Sequence, residues 1–261
     1  MQNKRYSYED LLEIMKKLRG PGGCPWDREQ DHESLKKYFI EETYEVLEAI
    51  DLKSPENLCE ELGDVLLQVI FHARIAEENG QFSMDDVVNT VSKKMVHRHQ
   101  HVFGVARAET ADDVINLWED IKKQEKGVKS QTDVLKDVPP ILPALMRSYK
   151  VQEKAAKVGF DWDQVEDAWE KVDEETEELR EAYLAGDKER MEGEMGDLLF
   201  AVVNVARFLK IQPELALTGT INKFIRRFEY IETKSREKGM ELSSMTLQQM
   251  DELWDEAKKS E

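Results

Sequence analysis

The chain has 261 residues, a formal net charge of −18 at pH 7 and 35% charged side chains. Such acidity argues against bulk nucleic acid as a partner, because nucleic-acid binding rests on a basic surface, but it is compatible with a small phosphorylated ligand held through a metal ion. No apolar run approaches the roughly 18 to 20 residues of a membrane span, and the N-terminus lacks the apolar segment of a signal peptide, so we expect a cytoplasmic protein.

Apolar residues recur with helical spacing along the first half of the chain. Gly20-Pro21-Gly22-Gly23 ends the first apolar stripe, and Ser54-Pro55 reads as the N-cap and first residue of a later helix. No convincing run of alternating β-branched residues appears, so we predict an all-α fold of antiparallel bundles. The predicted helices of this half cover residues 8–18, 34–50, 55–79, 84–99 and 110–123.

Two of these predicted helices carry an acidic motif. Glu42 and Glu45 are three residues apart on one helix, and Glu61 and Asp64 are three residues apart on the next. Side chains at positions i and i+3 share one face of a helix. We therefore predict that the four carboxylates meet at one place.

The whole acidic motif recurs in the second half of the chain. Glu175 and Glu194 there repeat the separation of Glu42 and Glu61 without a change in spacing. Two further markers also recur: Gly-x-x-Trp-Asp begins at Gly23 and at Gly159, and Leu-Trp-x-x-x-Lys-Lys begins at Leu117 and at Leu253. Markers repeated in one order indicate a tandem duplication. The predicted domains are one repeat over residues 1–125, a linker over residues 126–143 and a second repeat over residues 144–261.

Four carboxylates at one place repel one another unless a cation neutralises them. Hard oxygen ligands of this kind suit Mg²⁺, Mn²⁺ or Ca²⁺. In so acidic a chain, a single cluster is more simply explained as a solvated helix face. The identical spacing of two clusters favours divalent-cation sites instead.

Basic residues accompany both clusters. A later helix carries Lys94 and Arg98 in the first repeat, and its counterpart carries Lys223, Arg226 and Arg227 in the second. Their repeated position makes them candidates to bind phosphate oxygens beside a metal ion. For the tryptophans of the Gly-x-x-Trp-Asp motifs, two roles remain open at this point: packing, and stacking on a base.

Other catalytic chemistries lack their motifs in this sequence. The acidic helices have no Glu-x-x-His pair of a di-iron bundle, and no P-loop is present. His97, His99 and His101 alternate instead of following the i, i+4 spacing of a helical zinc site.

Taken together, the motifs resemble one known family. Glu-Glu-x-x-Glu followed by Glu-x-Gly-Asp, together with Gly-Cys-Pro-Trp-Asp and Arg-His-x-His-Val-Phe-Gly, is similar to the MazG nucleoside triphosphate pyrophosphohydrolases over essentially the whole chain. Gln100 stands where we expect proline in that family. The resemblance implies an all-α fold that dimerises to complete its bundles. It also implies Mg²⁺-dependent hydrolysis of nucleoside triphosphates to monophosphate and pyrophosphate, with Mn²⁺ as a substitute ion, in nucleotide-pool house-cleaning.

The resemblance also implies metal ligands in both repeats. Glu41 and Glu174 begin the two motifs and are expected to contact the metal ligands or a further ion. The implied ligands are Glu42, Glu45, Glu61 and Asp64 in the first repeat and Glu175, Glu178, Glu194 and Asp197 in the second.

The repeats differ in the cations that precede each acidic motif. One turn before the first implied ligand on each acidic helix, the second repeat has Lys171 and Arg190, whereas the first has Tyr38 and Asn57. A triphosphate carries close to four negative charges, so we predict that the C-terminal repeat is the principal catalytic site. The candidate catalytic residues are Glu175, Glu178, Glu194 and Asp197. The candidate substrate-binding residues are Lys171, Glu174, Arg190, Lys223, Arg226, Arg227, Trp254, Lys94 and Arg98.

Two alternative functions remain open on sequence alone. One is a related enzyme with a narrower substrate, such as dUTP or phosphoribosyl-ATP. The other is a nucleotide-sensing or protein-binding helical module with structural metal sites, which would release no pyrophosphate. In each case we predict a homodimer, because short helical repeats standing alone would expose apolar faces such as residues 65–71.

Overall fold

The computed structural model describes residues 4–126 and 130–260, and every regular element in those ranges is helical. This confirms the predicted all-α fold. No helix in the described ranges is long and apolar enough to cross a membrane. The helices are α1 (Tyr8–Arg19), α2 (Pro25–Glu29), α3 (Lys36–Asp51), α4 (Pro55–Glu78), α5 (Met84–Arg98), α6 (Gln100–Phe103), α7 (Ala111–Lys126), α8 (Gln131–Lys136), α9 (Ala144–Ala156), α10 (Val165–Ala185), α11 (Lys188–Phe208), α12 (Pro213–Glu237) and α13 (Leu247–Lys259).

Local sequence signals set several helix ends. At the start of α1, the Ser7 hydroxyl accepts a hydrogen bond from the backbone N–H of Asp10, and the Asp10 carboxylate accepts one from the backbone N–H of Ser7. This reciprocal pair satisfies two donors that have no partner within the helix. Ser54 caps α4, whose first residue is Pro55. Helix α10 ends at Gly186, which has φ 70° in the left-handed region that glycine adopts without strain.

The chain divides into two compact units, with the boundary between Lys122 and Lys123. In the N-terminal unit, α3 and α4 form a helical hairpin, and α1 and α5 pack against α4. The core of this unit consists of Met15, Leu35, Ile70, Phe71 and Ile75. These side chains hold together the two helices that carry the first acidic motif.

One face that was expected to be exposed is partly buried within its own unit. Of the residues 65–71 that were predicted to lie open in a single chain, Leu66 is exposed, but Ile70 is 2% and Phe71 4% exposed. The prediction was wrong for these two positions because α1 covers them and contributes Met15 to the same core.

In the C-terminal unit, α10 and α11 form a hairpin joined by only Gly186 and Asp187. So short a link makes the two helices antiparallel neighbours. Helix α9 packs on α11, and α12 packs mainly on α13 and α9. Helix α8, next to α9, lies within residues 126–143, the segment predicted to be a linker.

Candidate active site

The N-terminal carboxylate cluster is formed across the α3–α4 hairpin. One carboxylate oxygen from each of Glu42, Glu45 and Glu61 lies within 4.8 Å of the other two. Asp64 faces the same group, since its charge is one of the causes that raise the pKa of Glu42. The hairpin thus brings together the acidic residues that the repeated spacing singled out.

The electrostatics of this N-terminal cluster are those of crowded like charges. Burial raises the pKa of Glu42, and the charges of Asp64 and Glu45 raise it further. A hydrogen bond with Gln68 lowers this pKa, but by less. Burial likewise raises the pKa of Glu61, with Glu45 as the next cause. A divalent cation between these oxygens would relieve the repulsion, and an all-oxygen donor set fits Mg²⁺ or Mn²⁺.

The C-terminal cluster is formed across the α10–α11 hairpin in the same way. Oxygens of Glu175, Glu194 and Asp197 lie within 4.8 Å of one another. Glu175 is only 5% exposed, which makes it the most deeply placed of the three. Glu178 faces the cluster from α10, because the charge of Glu194, followed by burial, raises its pKa.

Two cations of this unit lie directly on its carboxylates. Lys171 Nζ is 2.5 Å from Oε1 of Glu175 and 2.9 Å from Oε1 of Glu174. The hydrogen bond to Glu175 is the largest cause that raises the pKa of Lys171, and the hydrogen bond to Glu174 is the next. Arg190 Nε is 3.1 Å from Oε1 of Glu194, and this contact is the main cause that raises the pKa of Arg190. The C-terminal cluster therefore carries its own compensating charge.

The other basic candidates lie on different helices from the carboxylates. Lys94 is exposed on α5, and Lys223 and Arg226 lie on α12. Arg227 lies over the ring of Trp254, with the guanidinium carbon 5.3 Å from the ring centroid. Within the described ranges, Lys94 forms no ion pair with the N-terminal cluster, and Lys223 and Arg226 form none with the C-terminal cluster.

A cavity of about 600 Å³ adjoins the C-terminal cluster. Its volume falls in the range of small-molecule sites, roughly 300 to 1,000 Å³. Lys171, Glu175 and Asp197 line one part of it, and most of the remaining wall is apolar. The other lining residues are Leu135, Val151, Gln152, Ala155, Gly159, Phe160, Asp161, Trp162, Phe200, Ala201, Asn204 and Arg207.

Sequence reasoning missed several residues of this wall. Trp162 was singled out through the repeated Gly-x-x-Trp-Asp motif, whereas Gln152, Asn204 and Arg207 belong to no repeated motif. A signal was nevertheless present in the comparison of the repeats. Asn204 occupies the position, two turns after the last acidic residue of the motif, that Phe71 holds in the first repeat.

Comparisons with known proteins match the chain over nearly its whole length. The family model described as the MazG nucleotide pyrophosphohydrolase domain matches residues 30–103 and 164–231, and each range contains one carboxylate cluster. A Thermotoga maritima protein named nucleoside triphosphate pyrophosphohydrolase/pyrophosphatase MazG is 47% identical over 251 residues, 96% of this chain and 95% of that protein. A nucleoside triphosphate pyrophosphohydrolase of Escherichia coli K12 is 44% identical over 256 residues, 96% of this chain and 97% of that protein. The uncharacterised protein YabN of Bacillus subtilis is 53% identical over 257 residues, and this chain spans 52% of its length.

Proposed function

The chain belongs to the MazG nucleotide pyrophosphohydrolase family and hydrolyses nucleoside triphosphates; we propose that it does so with Mg²⁺, chiefly at the C-terminal carboxylate cluster. The products are a nucleoside monophosphate and pyrophosphate, and the cellular role is nucleotide-pool house-cleaning. The supporting observation is the convergence of Glu175, Glu194 and Asp197, with Lys171 and Arg190 beside them, at one end of a ligand-sized cavity.

Glu175, Glu194 and Asp197 would hold the metal ion, with Glu178 facing them from α10. When bound, Mg²⁺, or Mn²⁺ in its place, supplies positive charge that draws the triphosphate in and polarises its phosphorus–oxygen bonds. Glu178, which faces the cluster from α10, is placed to accept the proton of the attacking water. Water adds to phosphorus, the bridge between the α- and β-phosphates breaks, and pyrophosphate leaves.

Lys171 and Arg190 would change partners during binding. Their ion pairs with Glu175 and Glu194 neutralise the cluster when no metal is bound. Once a divalent cation takes over that role, the same ammonium and guanidinium groups become free to donate to phosphate oxygens. The pair of cations would then stabilise the charge that builds up on the leaving pyrophosphate.

We propose that the working form is a homodimer in which a second copy covers α12. This helix exposes an apolar stripe at helical spacing, and each of its five side chains is between 44% and 57% exposed. The stripe consists of Leu217, Ile221, Phe224, Ile225 and Phe228. The same unit also exposes Leu199 and Val202 on the hairpin that carries the carboxylates. In a dimer with a two-fold axis, the α12 stripe of each copy can pack on the Leu199 and Val202 patch of the other copy.

A dimer would also supply what a single C-terminal unit lacks. Lys223 and Arg226 lie on α12, which packs mainly on α13 and α9. In the described part of the chain they form no ion pair with the carboxylates. Burying the α12 stripe against a second copy would let these cations serve the partner's carboxylate cluster.

The direct test is pyrophosphate release from the eight common NTPs and dNTPs and from dUTP, with Mg²⁺ and with excess chelator. We expect release with Mg²⁺ and none with chelator. Binding of nucleotide and Mg²⁺ without release would favour the alternative, a nucleotide-sensing module with structural metals. Turnover confined to a single nucleotide such as dUTP would indicate a narrower enzyme of the same type.

A further inference from the structure

The loop between α9 and α10, residues 157–164, carries Trp162 into the wall of the C-terminal cavity. The same wall contains Lys171 and Glu175, the ion pair at the carboxylate cluster. The side chain of Trp162 is 41% exposed, so a large part of its surface has no packing partner within the chain. Other contacts of the loop must therefore fix where this wall stands.

One carboxylate ties the loop to α11. Oδ1 of Asp161 accepts a hydrogen bond from the backbone N–H of Trp162 at 3.0 Å, and the same oxygen pairs with Nη2 of Arg207. The side chains of Asp161 and Arg207 are 23% and 12% exposed, so water screens their pair less than it screens a surface ion pair. Within the described ranges, no other hydrogen bond or ion pair joins residues 161–163 to another helix.

Arg207 is itself held by its own helix. Its Nε donates to Oδ1 of Asn204 at 2.8 Å, and its guanidinium carbon lies 4.5 Å from the ring centroid of Phe208. Both contacts are to positions of α11, the helix that also carries Glu194 and Asp197. Arg207 therefore fixes the loop relative to the carboxylates of this helix.

The first repeat ties its own tryptophan segment, helix α2 with Trp26, to its second acidic helix by a different ion pair. Arg19, whose side chain is 6% exposed, pairs with Glu78 of α4 at 2.8 Å. The same guanidinium donates to the backbone carbonyls of Asp27 and Gln30, on either side of the end of α2. A buried arginine thus joins this segment to α4.

Neither ion pair has an equivalent in the other repeat. The residues that align with Arg19 and Glu78 carry no charge, and neither does the one that aligns with Asp161; in that order they are Ala155, Ile211 and Pro25. The two repeats therefore make the same connection with unrelated residues. This indicates that the position of the tryptophan segment relative to the acidic helix matters in both.

The first repeat also shows what such a tryptophan contacts. The ring of Trp26 lies edge-on to that of Tyr38, with the ring centroids 5.9 Å apart. Trp26 aligns with Trp162, and Tyr38 aligns with Lys171. In the second repeat, Trp162 and Lys171 again line one cavity. The tied loop therefore supplies an aromatic wall to the cavity that holds the Lys171 ammonium group.

We propose that Asp161 and Arg207 are positioning residues for hydrolysis: their ion pair keeps Trp162 in the cavity wall, where the ring shields the Lys171 ammonium group from water. The inference rests on the proposed function, because that function brings the triphosphate to Lys171. Exclusion of water strengthens the attraction between this cation and a phosphate group. When the ion pair is broken, the loop occupies this position for only a fraction of the time, and the apparent affinity for substrate falls by that fraction. Substrate that is already bound reacts as before, so KM rises and kcat does not.

The test is a double-mutant cycle with Asp161→Asn and Arg207→Met, measured as pyrophosphate release from ATP with Mg²⁺. Asp161→Asn keeps the oxygen that accepts from Trp162 and removes the negative charge. Each single variant should raise KM about tenfold, as when the competent fraction falls from near one to about a tenth, and should leave kcat within about twofold. The double variant should match the single variants, because all three lose the same contact. Arg236→Met, which breaks an exposed ion pair on α12, is the matched control and should change neither quantity.

A second substitution keeps the test decisive if Arg207→Met does not fold. Trp162→Ala removes the shielding ring itself and should raise KM about tenfold or more. Adding Asp161→Asn to Trp162→Ala should then change KM no further, since the ion pair acts through this ring. A further increase of about tenfold would show that the pair acts elsewhere and would overturn the inference.

Chymotrypsin cleavage of the full chain after Phe160 or Trp162, located by mass spectrometry, measures the loop without reference to activity. Asp161→Asn and Arg207→Met should be cut at least several-fold faster than wild type at this loop. No pyrophosphate release by the wild type would contradict the proposed function itself. Normal wild-type release would overturn the inference alone if it came with an unchanged KM in the single variants, with additive effects in the double variant, or with unchanged cleavage of the loop.

Discussion

The Nζ atom of Lys171 lies 2.5 Å from Oε1 of Glu175, which is one turn further along α10 and is the most buried carboxylate of the C-terminal cluster. Tyr38 holds the corresponding position in the first repeat and carries no charge. The two clusters therefore share a geometry but differ in how they are neutralised. Lys171 pairs with Glu175 in the C-terminal cluster, and we propose that the substrate recruits this cation.

This ion pair predicts that Lys171→Met has opposite effects on the affinity for Mg²⁺ and on the affinity for the substrate. Without the ammonium group, the cluster is more negative, so Mg²⁺ alone should bind more tightly in calorimetry. The KM for nucleoside triphosphate should rise roughly 10- to 100-fold, the equivalent of one charged hydrogen bond of about 1.5 to 3 kcal/mol. Lys188→Met, at the exposed start of α11, is the matched control and should change neither quantity. Weaker Mg²⁺ binding with an unchanged KM would contradict this account.

The N-terminal cluster should be a source of instability that a divalent cation removes. Glu42→Gln takes one charge out of the crowded group, so in chelator the variant should melt roughly 2 to 5 °C above wild type. Added Mg²⁺ should stabilise the wild type and have a smaller effect on the variant. Glu13→Gln is the control, because Glu13 lies on the exposed side of α1 with a side chain that is 75% exposed. A variant that melts below wild type in chelator would show that the cluster does not strain the apo protein.

The N-terminal unit should lose stability as the pH falls below neutrality. His32 and His72 lie with their Nδ1 atoms 2.8 Å apart, so one ring must donate and the other accept, and double protonation breaks the bond. Burial, followed by the charge of His32, lowers the pKa of His72 in the folded protein. Neutral His72 therefore contributes its full stabilisation at a pH above its unfolded pKa of about 6.5. This stabilisation is lost as the pH falls through the lower pKa of the folded protein.

Thermal melts of the full chain between pH 7.5 and 5.5 measure this effect. His72→Phe should flatten the dependence on pH. An identical pH dependence in wild type and His72→Phe would show that the histidine pair is not the source.

The apolar stripe of α12 predicts how the dimer can be broken. Ile221 and Ile225 are 50% and 57% exposed and lie one turn apart. Ile225→Asp places a charge in the proposed interface and should raise the dimer dissociation constant by about 100-fold or more in sedimentation equilibrium. Asn222→Asp adds the same charge at an exposed polar position of the same helix and should leave the dimer intact. A wild-type protein that sediments as a monomer at micromolar concentration would exclude the dimer altogether.

The sequence predicted the long helices well because their signals are local. The predicted helix over residues 55–79 is α4 (Pro55–Glu78), and its start was readable from Ser54-Pro55. The short helices α2 and α6 were not predicted, since four or five residues carry too little periodicity. The repeated acidic spacing led to the two clusters, because helical periodicity fixes which side chains share a face.

What the sequence left undetermined depends on contacts between distant segments. Nothing near Phe71 says that α1 will cover it, so its burial could not be read from its own helix. Gln152 and Asn204 meet one cavity from α9 and α11, and neither belongs to a repeated motif. Helical patterns define faces, but tertiary packing decides which face is covered and where an empty space remains.

We predict that the C-terminal cluster is the principal catalytic site, and matched alanine substitutions in the two repeats distinguish it from the N-terminal cluster. Pyrophosphate release would be measured from the eight common NTPs and dNTPs with Mg²⁺, using variants whose helical content matches wild type. Glu175→Ala or Asp197→Ala should lower the rate on the order of 100-fold or more, because each removes a proposed ligand of the metal ion. Glu42→Ala or Asp64→Ala should leave most of the activity. If the N-terminal substitutions alone abolish release from every nucleotide, the claim is wrong.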